Sequence, residues 1–317
     1  MANLPQGVSK PSPKIESNSN RNPAPKSRDI AAKAVGVGGR SIQVAKKIQE
    51  QRPDLAAEVK KGKITLNNAI KQAKQEEKQA VIEKAAESEE LIPLERKVSV
   101  NVGDWWKLGR HVLYCGDTSK PEFIKKVPMS AMGFADPPYG ANVESFDDSE
   151  FYWQHDWLID KCNIVCVTPG IVSIFKFAKI TNMPYLWSHS TWIKNGMTRG
   201  AIGFGNWIYT AIFSRSSIHR NAQDFDSITI ETSTTEETTH KGRKPSKYLA
   251  IIFHLFTKDG DQIIDPFLGS GQTLLVAEKL NRQCFGGEIM PEHCELIINR
   301  WESMTGMKAE VIDVNSL

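Results

Sequence analysis

Asp136-Pro137-Pro138-Tyr139 is the stretch whose residue types come nearest to a reaction. It directly follows the apolar segment Met132 to Ala135, which reads as the end of a buried strand. Two consecutive prolines stiffen the backbone and carry no amide hydrogen. The Asp136 carboxylate and the Pro137 carbonyl can then both accept hydrogen bonds from one amino group, and Tyr139 offers a flat face for stacking a base. An enzyme acting on an extruded nucleobase has to bind its polar edge and hold its plane. The plainer alternative is an ordinary Pro-Pro turn.

A second group is Asp265-Pro266-Phe267-Leu268-Gly269-Ser270-Gly271, with Gln272 and Thr273 after it. It follows the apolar pair Ile263 and Ile264 and opens a helix. Two glycines let backbone approach a ligand at a helix N-terminus. No Gly-Lys-Ser/Thr follows, so this is not a Walker loop, and the dinucleotide fingerprint lacks its third glycine. Glu288 ends the next strand about twenty residues on, where an acid can bind the ribose hydroxyls of a nucleoside cofactor. A surface carboxylate at a strand end is the alternative. The third group, His240 to Pro245, opens another helix, with Pro245 suited to a first turn. Its basic residues suit either a cofactor or a phosphate.

The elements that must position these groups alternate strand and helix, which predicts an α/β fold with a mostly parallel sheet. Strands are expected at 131–135, 163–168, 185–193, 262–264 and 283–288. Helices are expected at 151–161, 171–179, 246–256, 271–280 and 291–304. Ahead of this domain lies a small all-α unit. A helix from Asp29 to Gly36 and a second from Ile42 to Ile48, with Ser41 as its N-cap, have helix-turn-helix spacing. Arg40, Ser41 and Gln43 then stand where side chains reach base edges. A generic helical hairpin is the alternative. Further helices are expected around 55–61 and 65–75. The resulting division is a disordered tail (1–25), a helix-turn-helix DNA-binding unit (26–78), a charged helix or linker (79–93) and the α/β domain (94–317).

Composition bounds the rest. The chain has 317 residues, 40% hydrophobic, and a formal net charge of +3. That modest value hides fourteen Lys and Arg against six Asp and Glu between Arg21 and Lys78, a segment attractive to phosphate backbones. No apolar run reaches the roughly 18–20 residues that span a bilayer, so no membrane partner is expected. The first 25 residues lack an apolar signal core, and the expected location is the cytoplasm. There the five cysteines stay reduced. Cys162 and Cys166 flank a strand-like stretch with no second ligand pair, which favours core packing over metal, and no metal site is expected.

Taken in order, Asp-Pro-Pro-Tyr, His-x-x-x-Lys-Pro, Asp-Pro-Phe-x-Gly-x-Gly and a strand ending in Gly-Glu resemble the β-class of amino-methylating DNA methyltransferases, from about Leu94 to Lys308. The stretch Gly103 to Asp117 resembles the lead-in of ParB-linked and phage-type members. The segment Lys26 to Gln75 resembles the helix-turn-helix that accompanies ParB-type nuclease domains. The resemblance implies a Rossmann-like methyltransferase fold with circularly permuted motif order and S-adenosyl-L-methionine as cofactor. It implies a target-base pocket of Asp136, Pro137, Pro138 and Tyr139. It places Phe267, Gly269, Ser270, Gly271 and Glu288 around the cofactor, with Asp265 shaping the loop, Asp117 near the adenine and Lys244 closing the site. Trp192 and Lys194 resemble the family's Trp-x-Lys strand. The implied reaction is direct methyl transfer to N6 of adenine in double-stranded DNA, with a homodimer as a candidate assembly. N4 of cytosine is the near alternative, and a non-catalytic DNA-binding regulator the distant one. Between the Trp-x-Lys strand and the His-x-x-x-Lys-Pro segment, only Ser214 to Thr239 is available for reading sequence. Specificity is therefore expected to be short, or shared with the N-terminal helices.

Overall fold

The computed structural model describes residues 39–86, 98–138, 153–194, 198–200, 203–216, 225–231 and 243–313. For residues 39–40, 198–200 and 203–204 it describes the backbone alone. The chain divides into two units, Met1–Lys74 and Gln75–Leu317.

In the first unit, α1 (Gly39–Gln51) is followed by α2 (Pro53–Lys60) and the start of α3 (Leu66–Ala86). Pro53 begins α2 because its missing N–H is one that no helix would use there. The Arg52 guanidinium closes the corner on both carboxylate oxygens of Asp54, at 3.0 and 2.6 Å. Ile48, Leu55 and Ala69 form the small core, with Val59, Ile64 and Ile70 packed against it. The expected helix from Asp29 to Gly36 lies outside the described residues. Ser41 is not an N-cap: the helix already includes Gly39 and Arg40, so Ser41 sits inside it. Ser41 and Gln43 are both exposed.

The second unit is built on one ten-stranded sheet. Its strands are β1 (Trp105–Leu108), β2 (His111–Cys115), β3 (Ser130–Ala135), β4 (Cys162–Val167), β5 (Tyr185–Ile193), β8 (Trp207–Phe213), β9 (Ser227–Ile230), β10 (Gln262–Asp265), β11 (Gln283–Glu288) and β12 (Glu310–Val311). Their spatial order is β12-β1-β2-β11-β10-β3-β4-β8-β5-β9. The five central strands from β2 to β4 are mutually parallel, while β1 and β8 run against their neighbours. A separate two-stranded ribbon joins β6 (Thr198–Gly200) to β7 (Gly203–Gly205). The central strands are short and almost wholly buried, as parallel strands covered on both faces must be.

The remaining helices are α4 (Pro121–Ile124), α5 (Leu158–Lys161), α6 (Ile174–Ile180), α7 (Ser246–Phe256), α8 (Gln272–Lys279) and α9 (Pro291–Thr305). One face of the sheet packs on α7, α8 and α9 through Leu249, Leu274, Ile297 and Trp301. Ile82 and Ala85 of α3 join that same core, so α3 continues beyond residue 78 as structure rather than as a linker. The opposite face holds Trp105, Phe123, Trp153, Leu158 and Phe177.

Two expected helices are reshaped. Of the described part of 151–161, only α5 is helical. Asp156 accepts hydrogen bonds from Trp153 Nε1 and Thr181 Oγ1, both at 2.7 Å, which fixes the residues before α5 as an irregular corner. The segment 171–179 begins as a 3₁₀ turn over Ile171–Ser173 before α6. Cys162 and Cys166 lie buried in β4, and burial pushes both thiols up. Among the described residues, no helix is long and apolar enough to cross a membrane.

Candidate active site

The carboxyl ends of the parallel strands are where an open α/β sheet binds its ligand. Asp117 follows β2, Glu288 ends β11, Asp265 ends β10, Asp136 follows β3 and Thr168 follows β4. These strands are consecutive neighbours in the sheet. Chain order does not matter to this arrangement, because β10 and β11 insert between β2 and β3.

Asp136 is the most heavily bonded of the set. Lys244 Nζ donates to both its carboxylate oxygens, at 2.6 Å each. Thr168 Oγ1 donates to Oδ1 at 2.6 Å. The Lys244 side chain is 11% exposed and that of Asp136 20%, so water screens this pair only partly. Pro138 is exposed while Pro137 is buried. Tyr139, expected to stack the base, lies outside the described residues.

The glycine-rich loop is held from several directions. Asp265 is buried and accepts the Phe267 N–H at 2.8 Å across Pro266. Burial pushes its carboxyl up to about 7, with the charges of Asp136 and Glu288 adding to the rise and the Thr273 and Phe267 hydrogen bonds opposing it. Gly269 and Gly271 adopt φ of 53° and 83°, left-handed conformations that favour glycine. A Cβ at Gly271 would meet Ile297 Cγ1 at 2.7 Å. The Ser270 carbonyl accepts from the Arg300 guanidinium, which also reaches Gln272 Oε1 at 2.9 Å. Gln272 in turn donates to Ser246 Oγ at 2.6 Å.

Glu288 joins this loop to the strand end. Its Oε2 accepts the Gly269 N–H at 2.7 Å and its Oε1 the Met290 N–H at 2.9 Å. Each oxygen keeps lone pairs for a diol. A Cβ at Gly269 would meet nothing within 4 Å, so the loop beside Glu288 faces open space. A glycine loop, a carboxylate at the next strand end and open space between them fit a nucleoside cofactor. Asp117 is tied down by the Ser119 N–H at 2.9 Å and hydroxyl at 2.7 Å. These bonds, with Lys120 nearby, overcome burial and hold its carboxyl below the usual range.

Several participants were not singled out in the sequence. Thr168 is one. Thr118 is another: its buried hydroxyl bonds the Pro266 carbonyl at 3.0 Å and His155 Nε2 at 2.9 Å. The His155 ring lies 4.5 Å from that of Phe267, and burial drives its pKa down to about 4. A lone Thr or His carries no spacing signal, so only the folded arrangement exposes these. Arg300 is a third, reaching the Ser270 carbonyl and Gln272 from α9. Trp192 stacks on Trp207 at 5.8 Å, and Lys194 pairs with Glu231.

The family model for N6/N4 DNA methylases matches residues 42–299. The chain belongs to the N6/N4 DNA methylase family. Within the chain, 64 residues are 39% identical to the type II methyltransferase M2.DpnII of Streptococcus pneumoniae, covering 20% of this chain and 24% of that protein. A stretch of 49 residues is 49% identical to the probable type III restriction-modification enzyme HindVI Mod subunit of Haemophilus influenzae, 16% of this chain and 7% of that one. The chain thus spans a quarter or less of the curated relatives it matches. Among solved structures, the M1.HpyAVI-SAM complex aligns with a TM-score of 0.47 at 18% identity, covering 59% of this chain and 98% of that one. The cytosine-N4-specific PvuII DNA methyltransferase aligns at 0.46 and 14%, covering 66% and 90%.

Proposed function

We propose that this protein is an S-adenosyl-L-methionine-dependent DNA methyltransferase that methylates N6 of adenine in double-stranded DNA. The observation that carries the reading is the convergence of Asp136, the Asp265–Gly271 loop and Glu288 on adjacent strand ends. When bound, the cofactor supplies an electrophilic methyl group on a sulfonium centre.

The chain's own residues do the rest. Glu288 holds the ribose hydroxyls, Phe267, Gly269, Ser270 and Gly271 line the cofactor, and Asp117 meets its adenine. Asp136 and the Pro137 carbonyl accept hydrogen bonds from the target amino group. This withdraws the nitrogen lone pair from the ring and turns it towards the methyl. Tyr139 and Pro138 hold the base plane. Lys244 keeps the Asp136 carboxylate oriented and compensates its charge. Catalysis would rest on positioning and on stabilising the cation that develops at nitrogen. Asp136 accepts the proton afterwards. In families that resemble this one, an Asp at the first motif position favours adenine.

Arg40, Ser41 and Gln43 add DNA contacts from the N-terminal unit, which the exposure of Ser41 and Gln43 supports. The polar stretch from Ser214 to Thr239 leaves part of the specificity to that unit. Homodimerisation is supported by exposed apolar side chains on and before α6, with Val172 67% and Phe175 82% exposed. Sedimentation should show Phe175→Glu as a monomer where the wild type is a dimer.

The decisive test of the reaction uses isotope-labelled cofactor, unmethylated DNA and mass spectrometry of the digested nucleosides. Labelled N6-methyladenine from wild type, absent with Asp136→Ala, is the expected result. Labelled N4-methylcytosine would keep the mechanism and change the base. No labelled base, from protein that does not bind the cofactor, would overturn the assignment.

A further inference from the structure

We infer that Thr168 is a positioning residue that selects which carboxylate oxygen of Asp136 receives the target amino group. This rests on the methyl-transfer reading of the site. Thr168 stands directly after β4, and its backbone N–H donates to the Ala135 carbonyl at 2.9 Å, extending the β3–β4 ladder by one rung. Its side chain is therefore set beside Asp136 by the sheet itself. The residue is 1% exposed, so its hydroxyl is shielded from bulk water.

The hydroxyl has one hydrogen to give. Ala135 O lies at 3.4 Å and Asp136 Oδ1 at 2.6 Å, so the hydrogen goes to the carboxylate. Oδ1 thus accepts from both Thr168 and Lys244, whereas Oδ2 accepts from Lys244 alone among the described residues. A carboxylate oxygen has about two acceptor sites. Oδ1 is filled and Oδ2 keeps one site. Oδ2 is the oxygen that takes the amino hydrogen, and Thr168 prevents the carboxyl from rotating Oδ2 out of line. A bond of this kind acts on the geometry of transfer more than on binding, because a misplacement near 1 Å suffices to slow reaction about 100-fold.

The test compares Thr168→Val, Thr168→Ser and wild type in labelled methyl transfer, with cofactor affinity measured by calorimetry and folding by thermal melting. Val keeps the shape and removes the donor, and Ser restores the donor. Thr168→Val should lower kcat about 10- to 100-fold, with cofactor affinity and DNA KM within about twofold, and Thr168→Ser should recover most of the rate. A Thr168→Val enzyme with unchanged kcat would overturn the inference. So would equal losses in both variants at unchanged melting temperature. Should the Val variant melt early, failure of Ser to recover the rate while recovering stability would also overturn it. Loss of all methylation by wild type would instead count against the methyltransferase reading, which the wild-type lane reports separately.

Discussion

Gly287→Ala tests the packing that joins the cofactor-side strand to the loop after β2. Gly287 precedes Glu288 in β11, and a Cβ there would lie 2.3 Å from Thr118 Cγ2. Ordinary contact begins near 3.4 Å, so Thr118 must retreat by about 1 Å. Overpacking of this kind costs about 1–3 kcal/mol. The retreat also strains the Thr118 hydrogen bonds to the Pro266 carbonyl and His155, and loss of a buried bond adds about 1–3 kcal/mol. The combined cost is about 2–6 kcal/mol. In a unit of this size that is a fall of roughly 4–24 °C in melting temperature. The other neighbours of that Cβ are Phe123 Cε2 at 3.4 Å and the Tyr114 carbonyl at 3.5 Å, both tolerable. Thr118→Ser removes the offending methyl and keeps the hydroxyl. The double variant should therefore be more stable than the sum of the two single changes by at least about 1.5 kcal/mol. Thermal and urea unfolding of the four proteins measures this. A Gly287→Ala protein melting within 1 °C of wild type, or strict additivity in the cycle, would refute the argument.

Glu288→Gln should weaken cofactor binding about 10- to 100-fold by calorimetry, the range for hydrogen bonds to a charged group, and a Kd within twofold of wild type would exclude the ribose role. His155 supplies a pH dependence. Its folded pKa of about 4 lies below the usual 6.5, so the unfolded chain binds more protons between those values. Stability is then lost as pH falls from about 6.5 to 4, by up to roughly 3 kcal/mol, and urea unfolding of His155→Phe across that window should show a shallower decline. Removing the N-terminal unit should weaken DNA binding and reduce its salt dependence while cofactor affinity holds, as read by fluorescence anisotropy at several salt concentrations. The cut belongs at Lys74, because a deletion to residue 93 would remove Ile82 and Ala85 from the core of the second unit. Unchanged affinity and salt slope would remove that unit from DNA binding.

The parts of the fold that were legible in the sequence are those with strong local signals. β5 and β11 and helix α7 occupy the residues their patterns predict, since a run of strand-forming residues or an apolar-faced helix is written in consecutive residues. β1 and β2 lie in a stretch that the sequence marks only as a motif lead-in. Trp105, Trp106 and the turn at Gly109 and Arg110 carry no clean alternation, and they form a hairpin because β2 gains a parallel partner in β11 and β1 an antiparallel one in β12. Such partners lie nearly two hundred residues away and leave no local trace. β8 is a related case: Trp207 to Phe213 is apolar apart from Thr210 and shows no alternation, and its place between β4 and β5 is fixed by register with both.

The site divides along the same line. Asp136, Asp265, Glu288 and the two loop glycines announce themselves because strand-end acids and glycine turns have a recognisable spacing. Their second layer does not. Lys244 was legible as part of a motif, yet its ion pair with Asp136 spans 108 residues. Thr168, Thr118 and Arg300 are ordinary residue types at ordinary positions. They matter because β4 neighbours β3, because the loop after β2 meets the loop after β10, and because α9 returns beneath the glycine turn. A motif states which groups can do chemistry, whereas the order of strands decides which groups restrain them. Thr168 follows directly: a residue after β4 faces Asp136 across one rung of the ladder, and a hydroxyl there fills one oxygen while leaving the other for substrate.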